Sequence, residues 1–145
     1  MKHFTYEELI YSATALKYGI RNRTTKLVEQ NLKALVDNVL DPLRDYMGKA
    51  INVTSGYRCE ALNKKVGGAA KSSHLYGMAA DITIGTKSGN KTLAKVIVAK
   101  YPFDQVIDES DYQWVHVSYN PNGTNRRQIL RIKNGKTEII TADKL

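Results

Sequence analysis

At 145 residues, 42% hydrophobic and 25% charged, the chain has the size and composition of one compact domain with a single core, and does not read as disordered. No apolar run approaches the ~20 residues that would span a bilayer, and the single cysteine, Cys59, excludes an intrachain disulfide and a cysteine-type zinc site, leaving a small buried hydrophobe as its default role. The net charge of +8 favours a polyanionic partner, whether nucleic acid, an anionic membrane surface or an anionic wall. The basic residues are scattered, and the nearest thing to a cluster is Arg126, Arg127 and Arg131. With no recognised nucleic-acid motif and no aromatic stacking platform beside them, no nucleic-acid partner is expected.

The N-terminal Met1-Lys2-His3-Phe4 has no h-region or cleavage site, so a soluble product made in the cytoplasm without a signal peptide is expected, and His3 reads as a surface residue. Thr5 and Glu8 form a capping box ahead of Leu9 and Ile10, which predicts a short helix ending near Ser12. Residues 13–22 read as a loop-like connection closed by Gly19. From Thr25 to Met47, Leu27, Val28, Asn31, Leu32, Leu35, Val36, Val39, Leu40 and Leu43 recur at helical spacing, predicting a core helix that Asp41-Pro42 kinks or breaks. Ile51–Ser55 alternates as a strand, Ala61–Val66 suits a helical turn ended by Gly67-Gly68, and Ala79–Ile84 reads as a buried strand. A loop at 85–90 leads to a helix over Thr92–Lys100, and residues 104–109 and 113–119 form a hairpin. After Asn120-Pro121-Asn122-Gly123, a peripheral tail pairs as a short hairpin around Asn134-Gly135. Helices on one side of a small, mostly antiparallel sheet make an α+β domain spanning 1–145.

Two of the three histidines stand out. His74 precedes Asp81 by seven residues, and His116 lies in Trp114-Val115-His116-Val117-Ser118. Strand alternation points Trp114, His116 and Ser118 to one face and Val115 and Val117 to the other. Asp81 opens an apolar strand, and an unpaired buried carboxylate is costly unless a cation meets it. Gly77, Ala79 and Ala80 are small enough to let a metal or substrate approach the backbone. Two imidazoles and one carboxylate would leave one tetrahedral zinc position open to water. A histidine taken alone is more often structural than a ligand, and spacing by itself leaves both roles open.

Ser72-x-His74-x-x-Gly77-x-Ala79-x-Asp81 followed by Trp114-Val115-His116-Val117-Ser118 closely resembles the zinc peptidoglycan peptidases: D-Ala-D-Ala carboxypeptidases, vancomycin-resistance D,D-dipeptidases and phage L-alanyl-D-glutamate endolysins. Ser55-Gly56-Tyr57-Arg58 and Asp104-Gln105-Val106-Ile107-x-Glu109 match further blocks, the latter in the carboxypeptidase-like branch. Phe4-Thr5-x-x-Glu8-Leu9 and Asn38–Arg44 also resemble that branch, so the likeness runs from about Phe4 to Tyr119.

The resemblance implies a hedgehog-like D,D-peptidase fold and one Zn²⁺ per chain on His74, Asp81 and His116. It implies hydrolysis of an amide bond in the peptide stem of peptidoglycan; separately, a monomer is expected. A phage or prophage lysis enzyme, reaching the wall through a holin or within a virion, fits a catalytic domain of this kind. Arg58 becomes the clamp or oxyanion partner, with a surface salt bridge as its alternative. Ser72 orients the site or builds a turn; Trp114 forms a substrate wall or packs as a core aromatic; Tyr57 and Tyr76 line the groove or pack. Several relatives carry a carboxylate three residues before the second histidine ligand, where this chain has Gln113. Glu109 is therefore the expected general base, with Asp108 and Asp111 in reserve. A two-residue turn at Ser110-Asp111 would instead set Gln105 opposite His116, so Gln105 is retained as a substrate-facing residue. A metal-binding or wall-binding module with little activity is the alternative that Gln113 raises.

Overall fold

A computed structural model describes residues 1–145. The N-terminal half is helical. The capping box forms as expected, with Thr5 Oγ1 accepting from Glu8 N and Glu8 returning to Thr5 N, and it starts α1 (Tyr6–Ile10). Residues 13–22 differ from the loop expected: Ser12 caps a second short helix, α2 (Ala13–Lys17), by accepting from Ala15 N. Five residues are too few to show an apolar period, so only the cap could have signalled this helix.

The long amphipathic segment is one helical rod in three parts: α3 (Lys26–Leu35), a π-helical turn (Val36–Leu40) and α4 (Asp41–Met47). Pro42 has no N–H and its ring crowds the carbonyl one turn back, so the helix widens just before it rather than breaking. Val28, Leu32, Leu35, Val36, Val39, Leu40 and Leu43 are buried, as their spacing predicts. Leu27 departs from that pattern and is 61% exposed.

The sheet has six strands in the order β1-β2-β4-β3-β5-β6, where β1 is Asn52–Ser55, β2 Ala79–Thr83, β3 Gln105–Glu109, β4 Trp114–Ser118, β5 Gln128–Lys133 and β6 Lys136–Ile140. Every pairing is antiparallel except β3 with β5. Between β1 and β2 lie α5 (Glu60–Lys65) and a short 3-10 turn (Ser73–Tyr76). Between β2 and β3 runs α6 (Lys87–Lys100), which begins inside the loop expected at 85–90 because Thr86 caps it by accepting from Gly89 N. Ala80, Ile82, Val106, Val115, Val117 and Ile129 project into the core formed with α3, α4 and α6. The alternate residues, Asp81, Gln105, Ile107, Glu109, Trp114 and His116, are left on the other face.

The segment after residue 120, expected at the periphery, extends the sheet. Ile129, Ile140 and Leu145 belong to the main core, and two buried aspartates fasten β5 to β3. Asp104 accepts from Arg126 Nε (3.0 Å) and Nη2 (2.7 Å), and Asp108 accepts from Arg131 Nε at 2.8 Å. Arg127 donates to the carbonyls of Val98 and Tyr101 at the end of α6 and lies over the Phe103 ring. The three arginines that look like a basic cluster in the sequence are thus each committed within the fold. Cys59 is a half-buried free thiol rather than a fully buried one.

The Asp104–Arg126 pair gives acid stability a definite sign. Hydrogen bonds from Arg126 hold the Asp104 carboxyl below its ordinary range. A depressed folded-state pKa contributes stability above the unfolded value of ~3.9 and loses it as pH falls through the folded value. Arg126 is more than half exposed, so solvent screening limits the pair to about 1 kcal/mol. Urea unfolding should show Arg126→Gln less stable than wild type by about that amount at pH 7, with the gap closing as pH drops below ~4. A gap that is unchanged down to pH ~2 would remove the pair as its source.

Candidate metal centre

Three elements deliver the site. The 3-10 turn places His74, β2 places Asp81, and β4 places His116 directly opposite Asp81 in the strand register. Asp81 also pairs with Ser55 of β1, across a bulge between Val53 and Ser55 that bends the strand beside the site. All three side chains are buried. One carboxylate oxygen is the point of convergence: Asp81 Oδ1 lies 3.2 Å from His74 Nε2 and 3.0 Å from His116 Nδ1. Donors about 2.1 Å from a tetrahedral ion stand about 3.4 Å apart, close to these separations.

Protonation makes the arrangement informative. His74 Nδ1 lies 2.6 Å from the Gly56 carbonyl, which can only accept, so the ring proton belongs on Nδ1. A neutral His74 then aims the Nε2 lone pair at the lone pairs of Asp81. Two acceptors in contact need a cation between them, either a proton or a metal. Burial favours the neutral imidazole and lowers the His74 pKa, against the pull of Asp81. Burial alone would raise the Asp81 carboxyl, but its close contacts with His116 and His74 outweigh it and hold it well below the usual range. A deprotonated carboxylate between two imidazoles is a donor set that fits a divalent cation, and these three residues are the ones that could hold it.

Gly56 and Gly77 fix the turn that carries His74. A Cβ on Gly56 would lie 2.0 Å from the Leu9 carbonyl oxygen, so only glycine lets α1 press against the chain whose own carbonyl orients His74. Gly77, read from sequence as making room for a metal, has another reason. It ends the 3-10 turn at φ 71°, and a Cβ there would meet Val28 O of α3 at 2.7 Å. Ala80 likewise packs into the core rather than toward the site.

The histidines and Asp81 open into a cavity of about 530 Å³, also lined by Arg58, Ser72, Gln105, Glu109 and Trp114. Arg58 donates to Asp81 Oδ2 at 3.3 Å, Asn63 Oδ1 at 3.2 Å and Ser55 Oγ at 3.0 Å, so it grips the oxygen of Asp81 that the histidines leave free. Its salt bridge is to the site itself, not to the surface. Glu109 pairs with Trp114, and Ile107 rather than Gln105 faces His116. The hairpin loop is Ser110–Gln113, longer than a two-residue turn, with Ser110, Asp111 and Tyr112 all in left-handed backbone. Tyr112 N donating to Asp108 Oδ1 at 2.7 Å, and Asn90 Nδ2 donating to Tyr112 O at 2.9 Å, hold that unfavourable run in place. Burial raises the Glu109 pKa, Asp81 raises it further, and His116 and Arg58 oppose both.

Gln113 is exposed in the hairpin loop and lies outside this cavity. Alternation along β4 aims position 113 away from His116, so a carboxylate there would need a different loop to reach the site. Asp111 is exposed and paired with Lys87, and Asp108 is buried on the helix side with Arg131, so neither reserve reaches the cavity. Ser72 caps the 3-10 turn through His74 N while lining the cavity. Trp114 lines it, with its indole N–H buried and without a partner. Gln105 lines it with its amide held by Gln128 at 2.6 Å. Tyr57 is the exception: it is buried in the core and is not brought to the cavity, and Tyr76 is exposed outside it. The sequence did not mark Asn63, which braces Arg58, or Lys71, Ile107, Arg126 and Ile132, which also line the wall. Only the period-two pattern of β3 could have pointed to Ile107.

An α+β sheet carrying two imidazoles and a carboxylate into an open cavity defines a candidate mononuclear metal centre. The chain belongs to the Peptidase M15 family, which it matches over residues 2–118. It is also similar to the zinc D-Ala-D-Ala carboxypeptidase of Streptomyces albus G, at 45% identity over 49 residues. That stretch is 33% of this chain and spans only 19% of the relative's length.

Metal occupancy should depend on the converging atoms alone. His74→Ala and His116→Ala are each expected to weaken zinc binding by at least about 10²-fold in chelator competition, and Gln113→Glu to leave it unchanged. Zinc at ~100 times its Kd should stabilise the wild type by about 2.7 kcal/mol in thermal or urea unfolding, and the two alanine variants by much less.

Proposed function

We propose that this protein is a zinc-dependent peptidase that hydrolyses an amide bond in the peptide stem of peptidoglycan, as a D-Ala-D-Ala carboxypeptidase or an endolysin-type endopeptidase. His74, Asp81 and His116 hold one Zn²⁺ per chain, Glu109 is the general base, and Arg58 is the electrostatic partner. The observation that carries this reading is the placement of Glu109 and Arg58 in the cavity onto which the three donor atoms open. Membership of a peptidase family and the likeness to a zinc D-Ala-D-Ala carboxypeptidase support it.

When bound, zinc would supply Lewis acidity toward a scissile carbonyl and lower the pKa of water to ~7. The remaining work belongs to the protein. The Gly56 carbonyl fixes the tautomer and plane of His74, so that its Nε2 is held ready. Glu109 takes a proton from the attacking water and returns it to the leaving amine. Arg58 keeps Asp81 ionised and in place, and its fixed positive charge stabilises the negative charge that develops on the carbonyl oxygen. Trp114 forms a rigid aromatic wall of the cavity.

The acting site is the bacterial wall, where a chain of net charge +8 is drawn to anionic polymer. Release through a holin or carriage in a virion would bring a phage-type enzyme there. The alternative of a weakly active zinc module rested on Gln113, and the cavity position of Glu109 favours the enzyme. Mass spectrometry of muropeptides after incubation with the zinc-loaded protein tests the proposal. Cleavage at one stem amide is expected, falling about 10²–10⁴-fold in Glu109→Gln with zinc content retained, and unaffected by Gln113→Glu. Unchanged cleavage in Glu109→Gln would remove the base assignment, and no cleavage by the zinc-loaded wild type would sink the proposal.

A further inference from the structure

The family match ends at residue 118, but the cavity wall does not. Arg126, in the segment leading into β5, and Ile132 within β5 line the same cavity as His74, Asp81 and Glu109, and Gln128 holds the amide of Gln105. Arg126 is the one arginine of this segment that lines the cavity. Its Nε and Nη2 each donate one bond to Asp104, while Nη1 has no partner and the side chain is 55% exposed. The open edge, built from Nη1 and the second hydrogen of Nη2, is the two-pronged shape that receives a carboxylate.

The guanidinium is also held still. Arg126 N donates to Asp104 Oδ1 at 2.9 Å and Gln128 N to Asp104 O at 2.9 Å, so the backbone is tied on both sides of the intervening residue. Arg127, between them, is anchored on the carbonyls of α6 and on Phe103. Arg58 is paired with Asp81 beside the reacting carbonyl, whereas Lys71 lines the cavity with no ion-pair partner and adds positive charge. A cation that lines the cavity and is oriented by a buried carboxylate is preorganised for an anion.

We infer that Arg126 is a specificity-determining residue that binds a free carboxylate of the substrate peptide in a subsite built by the segment beyond the family match. This rests on the stem-peptide reading above. A stem peptide offers such a carboxylate at its C-terminus or at the α-position of its D-glutamate, and the chemistry of recognition is the same for both.

Two matched peptide pairs separate these sources: a D-Ala-D-Ala-terminated tripeptide against its C-terminal amide, and a stem peptide with D-glutamate against its isoglutamine counterpart. Binding to the zinc-loaded full chain is read from the fluorescence of Trp114, the single tryptophan and a cavity residue, and hydrolysis from KM and kcat. In one pair the wild type should prefer the acid by about ten- to a hundred-fold, as expected for a charge-assisted bond. Arg126→Gln should cut that preference to within about two-fold, mainly through KM, with zinc content unchanged, and Arg126→Lys should fall between. Should Arg126→Gln fail to fold, Arg126→Lys decides, because it keeps the charge without the fork. An acid preference identical in all three proteins, or absent from the wild type in both pairs while cleavage proceeds, overturns this inference and leaves the peptidase reading standing. If no peptide binds or is cleaved although zinc is held, both fall together.

Discussion

The structure turns on one buried carboxylate. Asp81 sits on β2, between β1 and β4, with two imidazole nitrogens against one oxygen and a guanidinium against the other. Taking that charge out of water costs several kcal/mol unless cations and donors meet it. Much of the fold serves to meet it. The bulge in β1 and the turn at Ser55–Arg58 bring in the guanidinium, the 3-10 turn brings His74, and the β2–β4 register brings His116. With Gly56 O fixing the proton on His74 Nδ1, the facing lone pairs of His74 and Asp81 call for a cation at their meeting point. A divalent metal satisfies all three donors at once, where a proton can satisfy only one pair.

The layers around the site divide the labour. The helices cover one face of the sheet and contribute apolar bulk, while the other face carries the chemistry. Strand alternation makes this division strict, since neighbours along β3 and β4 go to opposite layers. Glu109 faces the cavity, and Asp108 beside it is spent on Arg131 and the hairpin loop. Asp104, just before β3, and Asp108 within it clamp the C-terminal strands and thereby also hold the strand that presents Glu109.

Much of this was legible in the sequence because it rests on local periodicity. The α3–α4 rod and the alternation in β4 each follow from a short repeating pattern, and the Thr5 capping box from two residues three apart. His74, Asp81 and His116 are marked as donors by the family resemblance, because their spacing alone leaves a structural role open. What remained hidden depended on contacts between distant segments. Tyr57 stands beside Arg58 in the chain yet turns into the core, because adjacent residues in extended backbone point opposite ways. Gly77 is set by α3 rather than by a ligand, and nothing near it in sequence announces Val28. The hairpin register hung on a loop with three left-handed residues and no glycine, which no turn rule anticipates. The parallel pairing of β5 with β3 drew a tail that looked peripheral into the wall of the cavity.

The central claim is that a metal ion completes the Asp81 cluster, and zinc-edge X-ray absorption of the stoichiometrically loaded protein tests it most directly. The account predicts a shell of nitrogen and oxygen donors at ~2.0–2.2 Å with the outer scattering of two imidazoles, reduced to one imidazole in His74→Ala. A shell with sulfur from Cys59, or an imidazole count that His74→Ala leaves unchanged, would contradict it.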